Sequence, residues 1–470
     1  MIVPAINEAH VFLALGDDTP TFVGVLKPSF GGGRNVASAS FQYDSAYLSH
    51  PRAYAISPEL PLGSKRTFTP ENMAIFGAFA DASPDMWGKK IIQANHSLRL
   101  EEEPGLERGL GDFDFLVKVS DFTRMGALRL RAPAGGKWLA SDSEAANIHE
   151  LEKVIAAARR YEDQIASDED LAYLADIATS PGGARPKANV IMESGNLAIA
   201  KLPHSKDGNI DVESWEALAL TLAAKIGIRT PGFIHRRAGT EKSVLVVHRF
   251  DRIGDRRLGY MSASTAMEVG SFSEGSASYQ DFADTVSELS SQPTTDLHEL
   301  FTRVALTVLI NNVDDHWRNH GFLHDGSGWR LSPVFDVNPS TSHSVSSRAI
   351  NETDDPRNRD IRNLASVAES FNLTKRHARE IIHNVAVHVE EWPTIAASMG
   401  IPAQQQKTMS RAFDTHQISM ARDFSPGATP AVVDLVRPAE TAPAGAVWVS
   451  PHLRDGAEVA GHWRSPRGSH

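Results

Sequence analysis

The chain has 470 residues, 41% hydrophobic and 22% charged, the make-up of a globular protein with room for two or three subdomains. It has no cysteine, which excludes disulfides, thiolate metal sites and cysteine catalysis and suits a reducing cytoplasm. A formal net charge of -11 argues against sequence-independent DNA binding by the whole chain, and no apolar run reaches the ~18 residues of a membrane helix.

The first residues, Met1 to Glu8, place no basic segment before an apolar run, so no signal peptide is expected. From residue 10 to about 62 the pattern is short strands with Gly, Pro and Ser turns. Gly31-Gly32-Gly33 reads as a loose hairpin, because no helix and no Lys-Ser/Thr follows it as a phosphate loop would require. Asn72 to about Ala94 reads as helix, Met125 to Leu130 as a strand, and Glu144 to Ala166 as helix again.

Thr179 to Lys187 is a small-residue loop between apolar runs. Its glycines would let backbone amides approach phosphate oxygens, and Arg185 or Lys187 could add charge. Alone, a Gly-Gly turn is most often a simple hairpin turn. Residues 188–192 and 197–201 read as two strands joined by Glu193-Ser194-Gly195-Asn196, with Lys201 ending the second. A lysine there is commonly a solvated edge residue, yet it also stands where a kinase keeps its phosphate-pairing lysine. Asp211 to Gly227 has an acidic start and a Gly stop, so it is a helix. Glu216 could pair with Lys201, unless Glu213 and Glu216 merely favour the helix N-terminus. Ser243 to Arg252 is a buried strand that turns polar, the pattern of an adenine-binding hinge.

Residues 300–310 read as a buried helix running into Asn311-Asn312-Val313-Asp314-Asp315-His316-Trp317-Arg318-Asn319. A hairpin follows around Asp325-Gly326-Ser327-Gly328, then Asp336. An Asp, an Asn five residues on, and a later Asp form the acidic set of a phosphoryl-transfer site. The first takes the proton of the incoming hydroxyl; the other two hold Mg²⁺ on the ATP phosphates. Asp315 could compete for the base role, but the five-residue spacing favours Asp314. Single loops of this kind are usually turn formers, whereas the five parts in kinase order share no such reading. A metal cluster of Asp314, His316 and His320 would leave the glycine loop, Lys201 and Asp336 without a role. Ser340 to Ser347 is a hydroxyl-rich stretch at the activation-segment position, or a plain polar loop. Residues 373–391 and 404–423 read as helices, and the Pro/Ala-rich stretch from Pro426 as a linker. The tail beyond it reads as a small basic β-hairpin or a disordered segment.

The motifs from Ser180 to Lys187, Val246 to Arg252, Asn312 to Phe322 and Pro333 to Asp336, with the strand ending in Lys201, resemble the HipA family of bacterial Ser/Thr-kinase toxins. Val23 to Leu26, Phe41 to Asp44, Ile56 to Leu62 and Ser83 to Gly88 resemble that family's N-terminal subdomain. The resemblance runs from about residue 10 to 425. It implies an α+β, two-lobed protein-kinase-like fold: a β-rich N-terminal subdomain (1–120), a small lobe (121–255), a mostly helical large lobe (256–425) and a linker with a short tail (426–470).

It further implies Asp314 as catalytic base, Asn319 and Asp336 as Mg²⁺ ligands, and Lys201, steadied by Glu216, on the ATP phosphates. Gly182, Gly183, Ala184, Arg185 and Lys187 would cover the nucleotide, His248, Arg249 and Phe250 would take adenine, and His316 and Arg318 would lie near the nucleotide. Ser180 matches the loop serine that family kinases autophosphorylate, although Pro181 after it is a departure. Family members act in the cytoplasm on protein substrates, in known cases aminoacyl-tRNA synthetases. A small helix-turn-helix antitoxin, HipB, holds them inactive and makes any DNA contact indirect. The same acidic set would also serve a small-molecule phosphotransferase, and a non-catalytic co-repressor held in an antitoxin–DNA complex is a third class.

Overall fold

The computed structural model describes residues 6–15, 19–71, 73–103, 106, 109–133, 135–140, 145–178, 183–237, 242–270, 277–342, 347–352, 354–355, 359–413, 415–424 and the tail strands 447–449, 452–454, 457–459 and 462–464. The chain forms two compact units. The first is Met1–Ser214, Pro231–Gly270 and His320–Ser332; the second is Trp215–Thr230, Ser271–Asn319 and Pro333–His470.

The first unit holds two five-stranded sheets. One consists of β1 (Ala9–Leu13), β2 (Thr21–Gly32), β3 (Asn35–Tyr43), β4 (Thr67–Phe68) and β5 (Leu128–Arg131), all antiparallel in the order β4-β3-β2-β1-β5. Side chains alternate across a strand, so Ala9, Val11 and Leu13 turn inward while His10 and Phe12 stay half-exposed. Gly33, at φ 52°, closes the β2–β3 hairpin at the run of three glycines. The inner face packs Leu26, Phe41, Phe76, Phe79 and Phe113 into one core.

The stretch read as one helix from residue 72 is two, Gly77–Asp81 and Met86–Glu102. Pro84 cannot continue a helix, and Asp85 starts the second by accepting a hydrogen bond from Gly88 N at 2.7 Å.

The other sheet comprises β6 (Ala146–Asn147), β7 (Lys187–Ile191), β8 (Leu197–Lys201), β9 (Phe233–Arg237) and β10 (Ser243–His248), in the order β6-β7-β8-β10-β9. Only β6–β7 is parallel. The small residues Ala188, Val190, Ala198, Ala200, Val244 and Val246 let the helices Leu151–Glu162 and Asp168–Ile177 pack through Val154, Ala157, Leu174 and Ile177. The helix expected from Glu144 thus begins only after β6. The second, capped by Ser167 and Asp170, was not anticipated. A third sheet joins β11 (Gly259–Ser262), β12 (Gly321–His324) and β13 (Trp329–Leu331), the last two being the expected hairpin.

The second unit is mostly helical. Its central helix, Pro293–Leu309, starts with proline at its first position and is buried through Leu297, Leu300, Phe301, Val304, Leu306 and Leu309. Around it lie Tyr279–Leu289, Ile361–Ser366 and Lys375–Val389. Trp392 stacks on Phe413 at 4.5 Å between ring centres, with Trp215 at 6.0 Å from Trp392. In the tail, Val447–Val449 pairs with His462–Arg464 and His452–Arg454 with Ala457–Val459. No helix among the described residues is long and apolar enough to cross a membrane.

Candidate active site

The acidic loop is aimed by the end of helix Pro293–Leu309. Asn311 takes φ 50°, Asn311 N donates to Val308 O, and Asn312 N donates to Thr307 O at 2.9 Å. This is a Schellman stop, and asparagine tolerates the left-handed conformation it needs. Asn311 Nδ2 then donates to Ser340 O at 2.7 Å, and Arg359 to Asn312 O at 2.9 Å. Trp317, fully buried, anchors the middle of the loop edge-on against Tyr279 and Phe282.

Adjacent Asp314 and Asp315 face opposite worlds. Asp315 is 2% exposed and accepts a hydrogen bond from Tyr279 Oη. The Asp314 side chain is 74% exposed, and its Oδ1 lies 2.6 Å from His316 Nε2. Of the two carboxylates, only that of Asp314 is open to solvent.

Asn319 Nδ2 donates to Asp314 O at 3.0 Å. A carbonyl only accepts, so the amide nitrogen must face it and Oδ1 is turned away from that carbonyl. Asp336 sits at φ 54°, an uncommon conformation for a side-chain-bearing residue, and Val334 N fixes its approach by donating to Arg229 O. Two residues on, Asn338 Oδ1 is buried without a hydrogen-bond partner among the described residues. Oxygens from Asn319, Asp336 and Asn338 are the donor type that suits Mg²⁺. Asn338 was missed in the sequence, although it follows Asp336 in the same Val-Asn-Pro run. Among the described residues no three or more His, Asp or Glu side chains converge as a metal cluster.

The remaining candidates lie mainly in the first unit. Ser180 and Gly182 fall outside the described residues. Gly183 takes φ 87°, and it and Ala184 are exposed. Lys187 and Lys201 stand opposite each other across β7 and β8, so their side chains share a face. The Lys187 ammonium is buried 2.6 Å from Asp85 Oδ2. Trp87 Nε1 donates to Lys187 O at 3.1 Å. Arg185 is held bidentately by Asp207 at 2.6 and 2.7 Å and reaches Glu213 at 2.7 Å. Burial pushes the Glu213 carboxyl up to about 7, against the pull of Arg185. Arg185 and Lys187, two of the three cations expected near phosphate, are therefore neutralised inside the unit, an arrangement the sequence did not reveal.

His248 ends β10, and its Nε2 is buried without a hydrogen-bond partner among the described residues. A buried ring nitrogen without a partner is a group that a ligand could satisfy. Arg249 is different: its guanidinium is buried against Asp251 and donates to Thr123 O at 2.9 Å. Phe250 is half-buried, 6.3 Å from the Tyr260 ring. In the second unit Glu216 is buried on its helix, and Arg318 is exposed in the 3₁₀ turn Trp317–Asn319.

The chain matches two family models in order, the HipA N-terminal domain over residues 21–130 and the HipA-like C-terminal domain over residues 179–392. A Sinorhizobium fredii protein provisionally named kinase Y4mE is 25% identical over 182 residues, which is 34% of this chain and 41% of that protein. The chain thus matches well under half of that relative's length. The HipA chain in the Shewanella oneidensis MR-1 complex of HipA, HipB and operator DNA superposes at a TM-score of 0.56 and 16% identity, covering 88% of this chain and 96% of that one. The Helicobacter pylori proinflammatory kinase CtkA gives 0.36 at 13% identity, covering 51% of this chain and 91% of its own. The fold is the α+β, two-lobed kinase-like one expected. With both domain models matched in sequence order, and the HipA fold shared across nearly all of that chain, this chain belongs to the HipA family.

Proposed function

We propose that the protein is an ATP- and Mg²⁺-dependent protein serine/threonine kinase, the toxin of a HipA/HipB-type pair acting in the cytoplasm. The observation that carries this reading is the exposed Asp314, fixed at its side chain by His316 and at its carbonyl by Asn319. Asp314 accepts the proton of the acceptor serine or threonine and aligns its oxygen. Asn319 and Asp336 hold Mg²⁺, which when bound supplies charge neutralisation at the β- and γ-phosphates. Lys201 orients those phosphates. Backbone amides from Gly182 to Ala184 cover the nucleotide, with His316 and Arg318 beside it. Arg185 and Lys187 shape this cover from their internal ion pairs. His248 to Phe250 take the adenine, with the orphan His248 nitrogen in support.

The acceptor is a protein of the translation machinery such as an aminoacyl-tRNA synthetase. Ser180 in the glycine loop is a self-modification site, where about two added negative charges would repel bound ATP. The partner is a HipB-like antitoxin. The solved HipA relative was captured with HipB and operator DNA, and the acidic charge of this chain agrees with DNA contact only through such a partner.

The test is incubation with γ-labelled ATP, Mg²⁺ and a bacterial lysate beside Asp314→Asn and Ser180→Ala, read by phosphopeptide mass spectrometry. Label on a lysate protein that falls by several orders of magnitude in Asp314→Asn is the expected result. Near-normal transfer by that variant would overturn the assignment of the base, and label confined to small molecules would overturn the protein acceptor.

A further inference from the structure

Arg348 lies twelve residues beyond Asp336, in a part of the chain to which no role has been assigned. It is 8% exposed. Its backbone is set by the neighbouring residues: Tyr279 N donates to Ala349 O at 2.9 Å, and Ile350 N to Asp354 Oδ2 at 3.0 Å. Its guanidinium lies 5.9 Å from the centre of the buried Trp317 ring, within cation–π range. From there Nη2 reaches His316 Nδ1 at 3.0 Å.

Arginine carries donors only, so His316 Nδ1 is the acceptor in this contact. The ring proton is then on Nε2, which points at Asp314 Oδ1 at 2.6 Å. The three side chains form a chain of donors directed from a buried cation to an exposed carboxylate. One end of the relay is fixed by packing and the other is the group that must meet a substrate hydroxyl.

We propose that Arg348 is a positioning residue that acts on Asp314 through His316, fixing the imidazole tautomer and with it the direction of the carboxylate. The proposal rests on the kinase reading for its catalytic consequence, although the relay itself does not. Asp314 projects into solvent, where an unrestrained carboxylate would sample several rotamers. A base held in one orientation needs no search when the hydroxyl arrives, and misplacement on the scale of an ångström costs about a hundredfold in rate. Arg348 comes from the stretch after Asp336, and Asn311 Nδ2 ties Ser340 O in that stretch to the catalytic loop. The segment that carries the second acidic residue therefore also sets the first.

The experiment uses the full chain and the variants Arg348→Met, Arg348→Lys, His316→Ala and Arg348→Met/His316→Ala. Transfer kinetics are measured with unfolding midpoints, and His316 ring nitrogens are followed by long-range ¹H–¹⁵N NMR. Arg348→Met should lower kcat about 10- to 100-fold with KM for ATP within about twofold. Arg348→Lys, which keeps a cationic donor, should recover most of the rate. In the His316→Ala background Arg348→Met should have no further effect, since a residue acting only through His316 has nothing left to act on. Equal losses in both backgrounds, or a wild-type rate in Arg348→Met, would overturn the proposal. If the wild type transfers no label, it is the kinase reading that fails. The ring spectrum then decides the relay, with Nε2 protonation lost in Arg348→Met supporting it and an unchanged spectrum refuting it.

Discussion

Replacing Lys187 with methionine separates two roles for this residue. Its side chain and that of Asp85 are 5% and 3% exposed, and the ammonium and carboxylate stand 2.6 Å apart. Methionine preserves most of the side-chain volume and leaves the Asp85 charge buried without this partner. Removing one member of a buried pair costs about 3–5 kcal/mol, whereas removing both charges together costs far less. Asp85→Ala should cost about 1 kcal/mol more than Lys187→Met, because Asp85 also caps helix Met86–Glu102 through Gly88 N. The double variant Asp85→Asn/Lys187→Met keeps a capping side chain and should recover most of the loss. Hydrogen exchange at residues 85–90 and 187–191 reads this local stability without assuming that both units unfold together. At about 1.4 kcal/mol per tenfold, protection there should fall at least a hundredfold in each single variant. Unchanged protection in Lys187→Met together with a tenfold or greater loss of ATP affinity would refute the reasoning. Lys187 would then act on phosphate rather than on Asp85.

Glu213 gives a pH prediction. Its folded carboxyl lies at about 7, above the ordinary 4.5, chiefly through burial. A raised carboxyl stabilises the fold fully below about 4.5, and that contribution is lost as pH climbs through 7. Glu213→Gln should therefore match the wild type near pH 4 and be more stable at pH 8, by about 3 kcal/mol at most. A less stable variant at pH 8, in thermal melts run across this range, would mean that attraction to Arg185 outweighs burial. The neighbouring aspartates should separate cleanly as well. Asp315→Asn, which weakens the buried contact with Tyr279, should lower the unfolding midpoint yet keep the transfer rate within about tenfold. Asp314→Asn should do the reverse, and a pair of variants with the same profile would contradict the division of roles.

The two strands after the glycine loop were legible because alternating and small apolar residues mark them locally, and so were the helices Lys375–Val389 and Val212–Lys225. The acidic loop was legible because its spacing and the Asn-Asn helix stop are both local signals. Helix Asp168–Ile177 could have been read from its Ser-x-x-Asp cap, and the break at Pro84 from the proline itself. The late start after Glu144 could not, because Ala146 and Asn147 are claimed by pairing with β7, more than forty residues on. The fates of Arg185, Lys187 and Arg249 were equally hidden. A basic residue near a glycine loop looks the same in sequence whether it faces phosphate or a distant carboxylate. Lys187 finds Asp85 from 102 positions away, and Arg348 finds His316 from 32.

Asp336 offers a way to tell a residue kept for chemistry from one kept for the fold. At φ 54° it holds a conformation that costs a residue with a side chain about 1–2 kcal/mol, less for Asp and Asn, and nothing for glycine. On backbone conformation alone, glycine would be the better choice. Asp336→Gly should thus leave the unfolding midpoint unchanged or raised, while Asp336→Ala lowers both the midpoint and the stability, the latter by about 1 kcal/mol. Asp336→Asn, tolerant of the same conformation, should keep the midpoint and lose several orders of magnitude in transfer rate, because it removes the charge while keeping the shape of the side chain. Melting curves and transfer rates on the same preparations test both halves. An Asp336→Gly variant that is clearly destabilised would show that the carboxylate is needed by the fold, and the strain at this position could then no longer be attributed to catalysis.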